Sequence, residues 1–306
     1  MAINDAYRRQ VALLIRTLPF VAEEGIFALK GGTAINLFVR DLPRLSVDID
    51  LVYLPVKERA ESLAEISAAL KRIAARITKA NPGTRVTERL YEGAVTKLEI
   101  RFEGVQVLIE VTPVLRGTVY QPETRRVSPS VEEKFGFAEI QVVSFADLYA
   151  GKIVAALDRQ HPRDLFDVRH LLANEGIDDD LRRAFVVYML SHGRPMSEVL
   201  APARKDISDE FLRGFEGMTD SPATRQELEE ARETLIADIV GNMPQGHRRF
   251  MVSFERGEPD WELLEVPGAP DLPAVRWRQK NLDTLSAEKR NALVVRLKDV
   301  LSIQDE

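Results

Sequence analysis

Residues 44–54 read RLSVDIDLVYL, and the alternation inside that stretch decides the fold. Acidic and aliphatic residues exchange places at every step from Val47 before the run turns apolar at Leu51-Val52. That period of two belongs to a strand, and it puts Asp48 and Asp50 on the same face. Two carboxylates held a few ångströms apart repel each other unless a cation lies between them. Magnesium suits such a pair, because it takes oxygen ligands and leaves coordination positions for substrate phosphates. Asp48 and Asp50 are therefore the expected metal-binding and catalytic acids. The aliphatic residues around them place the strand inside the fold.

Working outward, IFALK (residues 26–30) is a short apolar run closed by Gly31-Gly32, which predicts a strand and a tight turn. Residues 33–40 follow with helix-forming character, with Thr33 as the expected cap. A glycine pair between a strand and a helix lets backbone N–H groups approach a polyphosphate closely, and a helix N-terminus favours negative charge. The G-x-x-x-x-G-K-[ST] spacing is absent, so this is no Walker A loop. Alone, a glycine pair is an ordinary turn; its meaning here comes from the D-x-D that follows. Arg44 and Ser46, just ahead of the acids, are candidates to touch phosphate or to brace the strand.

An amphipathic helix is expected from Asp5 to about Glu24, and an alanine-rich one over residues 56–79. Residues 84–91, 96–102 and 105–114 read as strands, the last two joined by a Glu103-Gly104 turn. A polar loop is expected over residues 116–137, then a short strand at 139–143. From Ser144 the pattern becomes helical, opened by an expected capping box, Ser144 to Asp147. The prolines at 259, 267, 270 and 273 predict irregular chain over residues 254–273. The fold class is α+β: a mixed sheet with flanking helices over residues 1–143, then an all-helical domain over 144–306.

Composition narrows the function classes. With no cysteine, disulfides, thiolate zinc sites and cysteine nucleophiles are excluded, which fits a reducing cytoplasm. Four scattered histidines argue against a histidine metal site. No apolar run approaches the roughly 18 residues of a membrane span, and the N-terminus carries no secretory pattern. The net charge of −6 means that any nucleic acid must be gripped by a local patch. Arg116 with Arg125 and Arg126, Arg248 with Arg249, and Arg276 with Arg278 and Lys280 are the candidates, each equally readable as solvated surface.

A third carboxylate usually completes a two-metal site. Glu110 in VLIEV is preferred to Glu99 in KLEIR, because more uniformly apolar flanks imply a buried acid in need of a cation. Glu99 has a plainer alternative, pairing with Lys97 or Arg101 on its own face. A second cluster is Lys152 in GKIVAAL, followed by His161-Pro-Arg163-Asp164-Leu-Phe-Asp167. Lys152 reads as lying near a helix start, where a cation gains nothing from the helix dipole, so an anionic partner such as nucleotide phosphate is expected. Asp164 and Asp167 lie one helical turn apart; one is expected to orient Lys152 and the other to pair with Arg163 or Arg169.

The motif order GGTAINLF, RLSVDIDL, KIVAALDR and RDLFDV resembles the AbiEii/AbiGii toxin family of nucleotidyltransferases, in the DNA polymerase beta-like superfamily. The resemblance covers about residues 26–175. It implies a polymerase beta-like core followed by a helical domain that contributes Lys152 and Asp164 to the site. It further implies a magnesium-dependent toxin of a type IV toxin–antitoxin or abortive-infection system, with a cognate antitoxin, an NTP donor and an RNA acceptor, the 3′ end of tRNA. Position by position, Gly31-Gly32 match the nucleotide-binding turn, Ser46 the hydroxyl before the acids, and Asp48 and Asp50 the metal acids. Lys152 matches the basic residue of the third motif and Asp164 the acid of the last. One departure is Gly-Gly-Thr where many members have Gly-Ser; Thr33 offers the hydroxyl one place later. The rival readings are transfer to a small molecule or protein, and a non-catalytic nucleotide-binding scaffold.

Overall fold

The computed structural model describes residues 5–219 and 223–304. The chain divides into two compact units. One takes in the residues up to Ser144 and resumes at Phe215; the other begins at Phe145, breaks at Gly214 and resumes at Ala223.

The first unit is built on a seven-stranded mixed sheet. Its strands are β1 (Phe27–Lys30), β2 (Asp48–Tyr53), β3 (Arg85–Tyr91), β4 (Ala94–Phe102), β5 (Val105–Arg116), β6 (Glu123–Arg126) and β7 (Glu139–Val142). They run in the order β3-β4-β5-β2-β1-β7-β6. The acidic strand β2 thus lies between β1, antiparallel to it, and β5, parallel to it. One sheet face is covered by α1 (Asp5–Ala22) and α3 (Arg59–Ala80). Val11, Leu14, Ile15 and Leu18 of α1, and Ile66, Leu70, Ile73 and Ile77 of α3, recur at helical spacing and are buried. They meet the alternate strand residues Ile49, Leu51, Leu98, Ile100, Val107 and Ile109, all buried. Asp48 and Asp50 point to the other face, where the helical segment Gly31–Ala34 packs beside them.

Three local expectations need correction. The helix after the glycine turn begins at Gly31 itself: α2 (Gly31–Ala34) runs into a π-helical turn over Ile35–Val39, closed by the Arg40 N–H on the Ile35 carbonyl at 2.7 Å. Thr33 is consequently inside the helix and is not its cap. The expected loop over 116–137 contains β6 and a short helix α4 (Pro129–Phe135), in which Pro129 occupies the first helical position.

The second unit is helical. It comprises α5 (Phe145–Arg159), α6 (Pro162–Asn174), α7 (Asp179–Leu190), α8 (Met196–Leu200), α9 (Ser208–Gly214), α10 (Arg225–Ile236), α11 (Gln245–Arg256), α12 (Pro273–Asp283) and α13 (Ala287–Leu301). Helices α5 and α7 pack together, α6 lies on α10, and α11 on α13. The region expected to be irregular holds the end of α11, two short 3₁₀ turns and the start of α12 at Pro273. Among the described residues no helix is long and apolar enough to cross a membrane.

Candidate active site

The glycine turn and the acidic strand are neighbours because β1 and β2 pair in register, Lys30 opposite Asp50. Gly31 has φ +73°, which favours glycine. Space demands glycine as well: a Cβ at Gly31 would fall 2.6 Å from Asp50 Oδ2. At Gly32 a Cβ would fall 2.7 Å from an Arg44 guanidinium nitrogen and 3.0 Å from Ser46 Oγ. The pair therefore presses backbone against the Asp50 carboxylate on one side and against Arg44 and Ser46 on the other. Thr33 finishes the join: its hydroxyl is bonded to Ser46 Oγ at 3.0 Å and donates to the Asp48 carbonyl. Asn36 Nδ2 donates to the Gly32 carbonyl at 2.9 Å, fixing the turn from the helical side.

Arg44, Thr33 and Ser46 are buried, while Asp48 and Asp50 are half-buried. Arg44 donates to the Leu45 carbonyl at 2.9 Å. The loop they occupy is gripped by a distant piece of chain: the Leu45 N–H donates to the Met218 carbonyl at 2.6 Å, and Thr219 Oγ1 to the Pro43 carbonyl at 2.7 Å. Nothing in the sequence pattern pointed to residues 218–219. Seven of the predicted site residues (Gly31, Gly32, Thr33, Arg44, Ser46, Asp48 and Asp50) are thus assembled in the first unit.

Glu110 lies in register beside Asp50 on the parallel strand β5, and so on the same face. Its side chain is 47% exposed and its carboxylate meets Lys97 Nζ at 2.8 Å. The buried neighbours Val107, Ile109 and Val111, which suggested burial, belong to the opposite face of β5. Among the described residues no group of three histidine or acidic side chains is gathered as a metal cluster. Glu99 is the buried acid of the pair. Arg89 bonds it at 2.9 Å and Arg101 also pairs with it, and together they hold its carboxyl below the ordinary range. Two carboxylates on one face, hard oxygen donors, and a turn whose missing Cβ keeps Asp50 Oδ2 clear still fit magnesium, which binds through one or two carboxylates plus water and substrate phosphate.

In the second unit, Lys152 sits in the middle of α5 rather than near its start, and is buried. Its ammonium meets Asp164 at 2.8 Å and Asp167 at 3.0 Å. Both acids sit on α6, one turn apart, after a start capped by His161 and Pro162. Both therefore serve Lys152, and Arg169 pairs instead with Glu227 at 2.9 Å. Arg159, which the motif reading passed over, joins Asp164 from the last turn of α5. Burial pushes the Asp164 carboxyl up, but Lys152 and Arg159 outweigh it and hold the group well below the usual carboxylate range. Asp147, in the expected capping box, is buried and accepts from the Tyr188 hydroxyl at 3.2 Å.

Most candidate arginines serve the fold. Arg116 is buried and donates to the Lys57 carbonyl and Ser62 Oγ. Arg248 donates to the carbonyls of Val240, Gly241, Met243 and Leu301. Arg278 is buried against the carbonyls of His192 and Arg194. Arg125, Arg126 and Arg276 pair with Glu123, Glu139 and Asp271.

The first unit thus joins a mixed sheet with paired aspartates on its central strand to a glycine turn that opens a helix. The family model described as nucleotidyl transferase AbiEii toxin, type IV TA system, matches residues 12–279. The chain belongs to that family of toxins. Among solved structures it is similar in fold to MenT4, a nucleotidyltransferase toxin from Mycobacterium tuberculosis H37Rv, with a TM-score of 0.60 and 17% sequence identity, over 90% of this chain and 93% of that one. None of the curated protein sequences matches.

Proposed function

We propose that this toxin moves a nucleotide from an NTP to the 3′ hydroxyl of an RNA, with tRNA as the acceptor, in a magnesium-dependent reaction in the cytoplasm. The observation that carries the reading is the packing of Gly31 and Gly32 against Asp50, Arg44 and Ser46. It supports the reading because backbone and a cation, which would serve as phosphate binders, lie next to the carboxylates that would hold the metal. Asp48 and Asp50 would be its ligands, with Glu110, in register beside Asp50 and steadied by Lys97, as the further acid of the face. Bound magnesium supplies neutralisation of the charge on the transferring phosphoryl group. The turn at Gly31-Gly32 orients the β- and γ-phosphates, Arg44 adds positive charge behind Gly32, and Thr33 and Ser46 keep strand and turn in register.

Lys152 and Asp164 are assigned to catalysis by their match to the family motifs. Their charges already answer each other, so Asp164 and Asp167 would fix the lysine in place. RNA as acceptor and a role in abortive infection rest on the family resemblance. The test is incubation of the protein and magnesium with each labelled NTP, offered total cellular RNA or purified proteins. Label in RNA, and in tRNA above all, is expected; label only in protein or a small molecule would replace the acceptor.

A further inference from the structure

The face of the sheet that carries Asp48 and Asp50 continues, uncovered by the helices of its own unit, across β5, β4 and β3. Register aligns the side chains in rows. Asp50 stands beside Glu110, Glu110 beside Lys97, and Lys97 beside Arg89. At about 4.8 Å per strand, the row reaches roughly 14 Å from Asp50. Over it lies an open cavity of about 650 Å³, floored by Arg89, Lys97 and Glu110 and walled by Tyr91, Pro113 and Val114. Tyr91 and Val114 are among the exposed large apolar side chains. Arg89 pairs with Glu99 at 2.9 Å and Lys97 with Glu110 at 2.8 Å, so cations and carboxylates alternate along the lining.

We infer that this cavity receives the 3′-terminal nucleotide of the RNA acceptor, an inference that rests on the nucleotidyl-transfer reading above. In transfer at a phosphoryl group the attacking and leaving oxygens lie roughly in line, on opposite sides of the phosphorus. The glycine turn, Arg44 and Ser46 take the leaving phosphates on the β1 side of Asp50. The attacking hydroxyl must then arrive from the β5 side, which is where the cavity begins. In that step the hydroxyl oxygen bonds the α-phosphorus, the bond from that phosphorus to the bridging oxygen breaks, pyrophosphate leaves, and the hydroxyl proton passes to a base. A cavity of this size holds a nucleoside-sized group. An exposed tyrosine beside cations is the equipment that single-stranded RNA recognition uses, with the base stacked on the ring and the phosphate on the cation.

The experiment measures labelled-nucleotide transfer into a purified tRNA pool, with RNA and NTP varied separately, for the wild type and for Tyr91→Ala, Tyr91→Phe and Arg89→Gln. The KM for RNA should rise roughly tenfold in Tyr91→Ala and Arg89→Gln, return in Tyr91→Phe, and leave the KM for NTP unchanged. A raised KM for NTP with an unaltered KM for RNA would assign the cavity to the donor base and overturn the inference, as would no change in either. If wild-type protein labels no RNA, the parent reading has failed. Filter binding of the same tRNA pool to wild type and Tyr91→Ala then judges the surface separately, and equal binding rejects it.

Discussion

Replacing Gly31 by alanine tests the assembly of the site most sharply. The residue sits at φ +73°, where a side chain costs about 1–2 kcal/mol. The new Cβ would also stand 2.6 Å from Asp50 Oδ2, so the carboxylate must retreat by roughly 0.5–1 Å to reach an ordinary contact. A misplacement of that size at a reacting centre costs on the order of 100-fold in rate. Gly83→Ala separates the two effects: its φ is +92° and nothing lies within 4 Å of its added Cβ. Both variants should lose about 1–2 kcal/mol in urea denaturation, and only Gly31→Ala should lose transfer activity. The assay is the initial rate of labelled-nucleotide transfer across a magnesium titration. Wild-type rates in Gly31→Ala would show that Asp50 is not where the chemistry occurs.

Other outcomes follow from the same geometry. Gly32→Ala places a Cβ against Arg44 and Ser46 rather than Asp50, so it should raise the KM for NTP more than it lowers kcat in steady-state kinetics. Lys152→Met takes the shared ammonium from two buried carboxylates, leaving Asp164 with Arg159, and should cost about 3–5 kcal/mol in urea denaturation; a loss below 1 kcal/mol would contradict the buried pairing. Asp164 has its folded pKa lowered, so its contribution is complete above the ordinary carboxylate value of about 4 and is lost as pH falls below it. Acid unfolding followed by circular dichroism should show this, with Asp164→Asn flattening the pH dependence between about pH 5 and pH 2.

The parts of the site that were legible in the sequence are those encoded by local spacing. The alternation of Asp48 and Asp50 with aliphatic residues names a strand and a face, and β2 keeps both. Gly31-Gly32 before a helix named a turn, but not that its tightness comes from Asp50 and Arg44, since that is a contact between strands. Thr33 was misassigned as a cap because its hydroxyl bonds across to Ser46 and the Asp48 carbonyl, partners 13 and 15 residues away. Glu110 was expected to be buried because its sequence neighbours are apolar, yet in a strand the adjacent Ile109 and Val111 face the other way. Lys152 was expected to meet an anion such as nucleotide phosphate, and the anions at its ammonium are Asp164 and Asp167, from within the same unit. Pro273, counted with the prolines that predicted irregular chain, instead occupies the first turn of a helix, where its missing N–H and fixed φ are harmless.

The central claim is that Asp48 and Asp50 together hold the metal on which transfer depends. Asp48→Ala and Asp50→Ala, assayed for labelled-nucleotide transfer into RNA with magnesium alongside their urea denaturation curves, test it most directly. The account predicts that each variant folds with near wild-type stability and loses transfer entirely. Full activity in either one would contradict it.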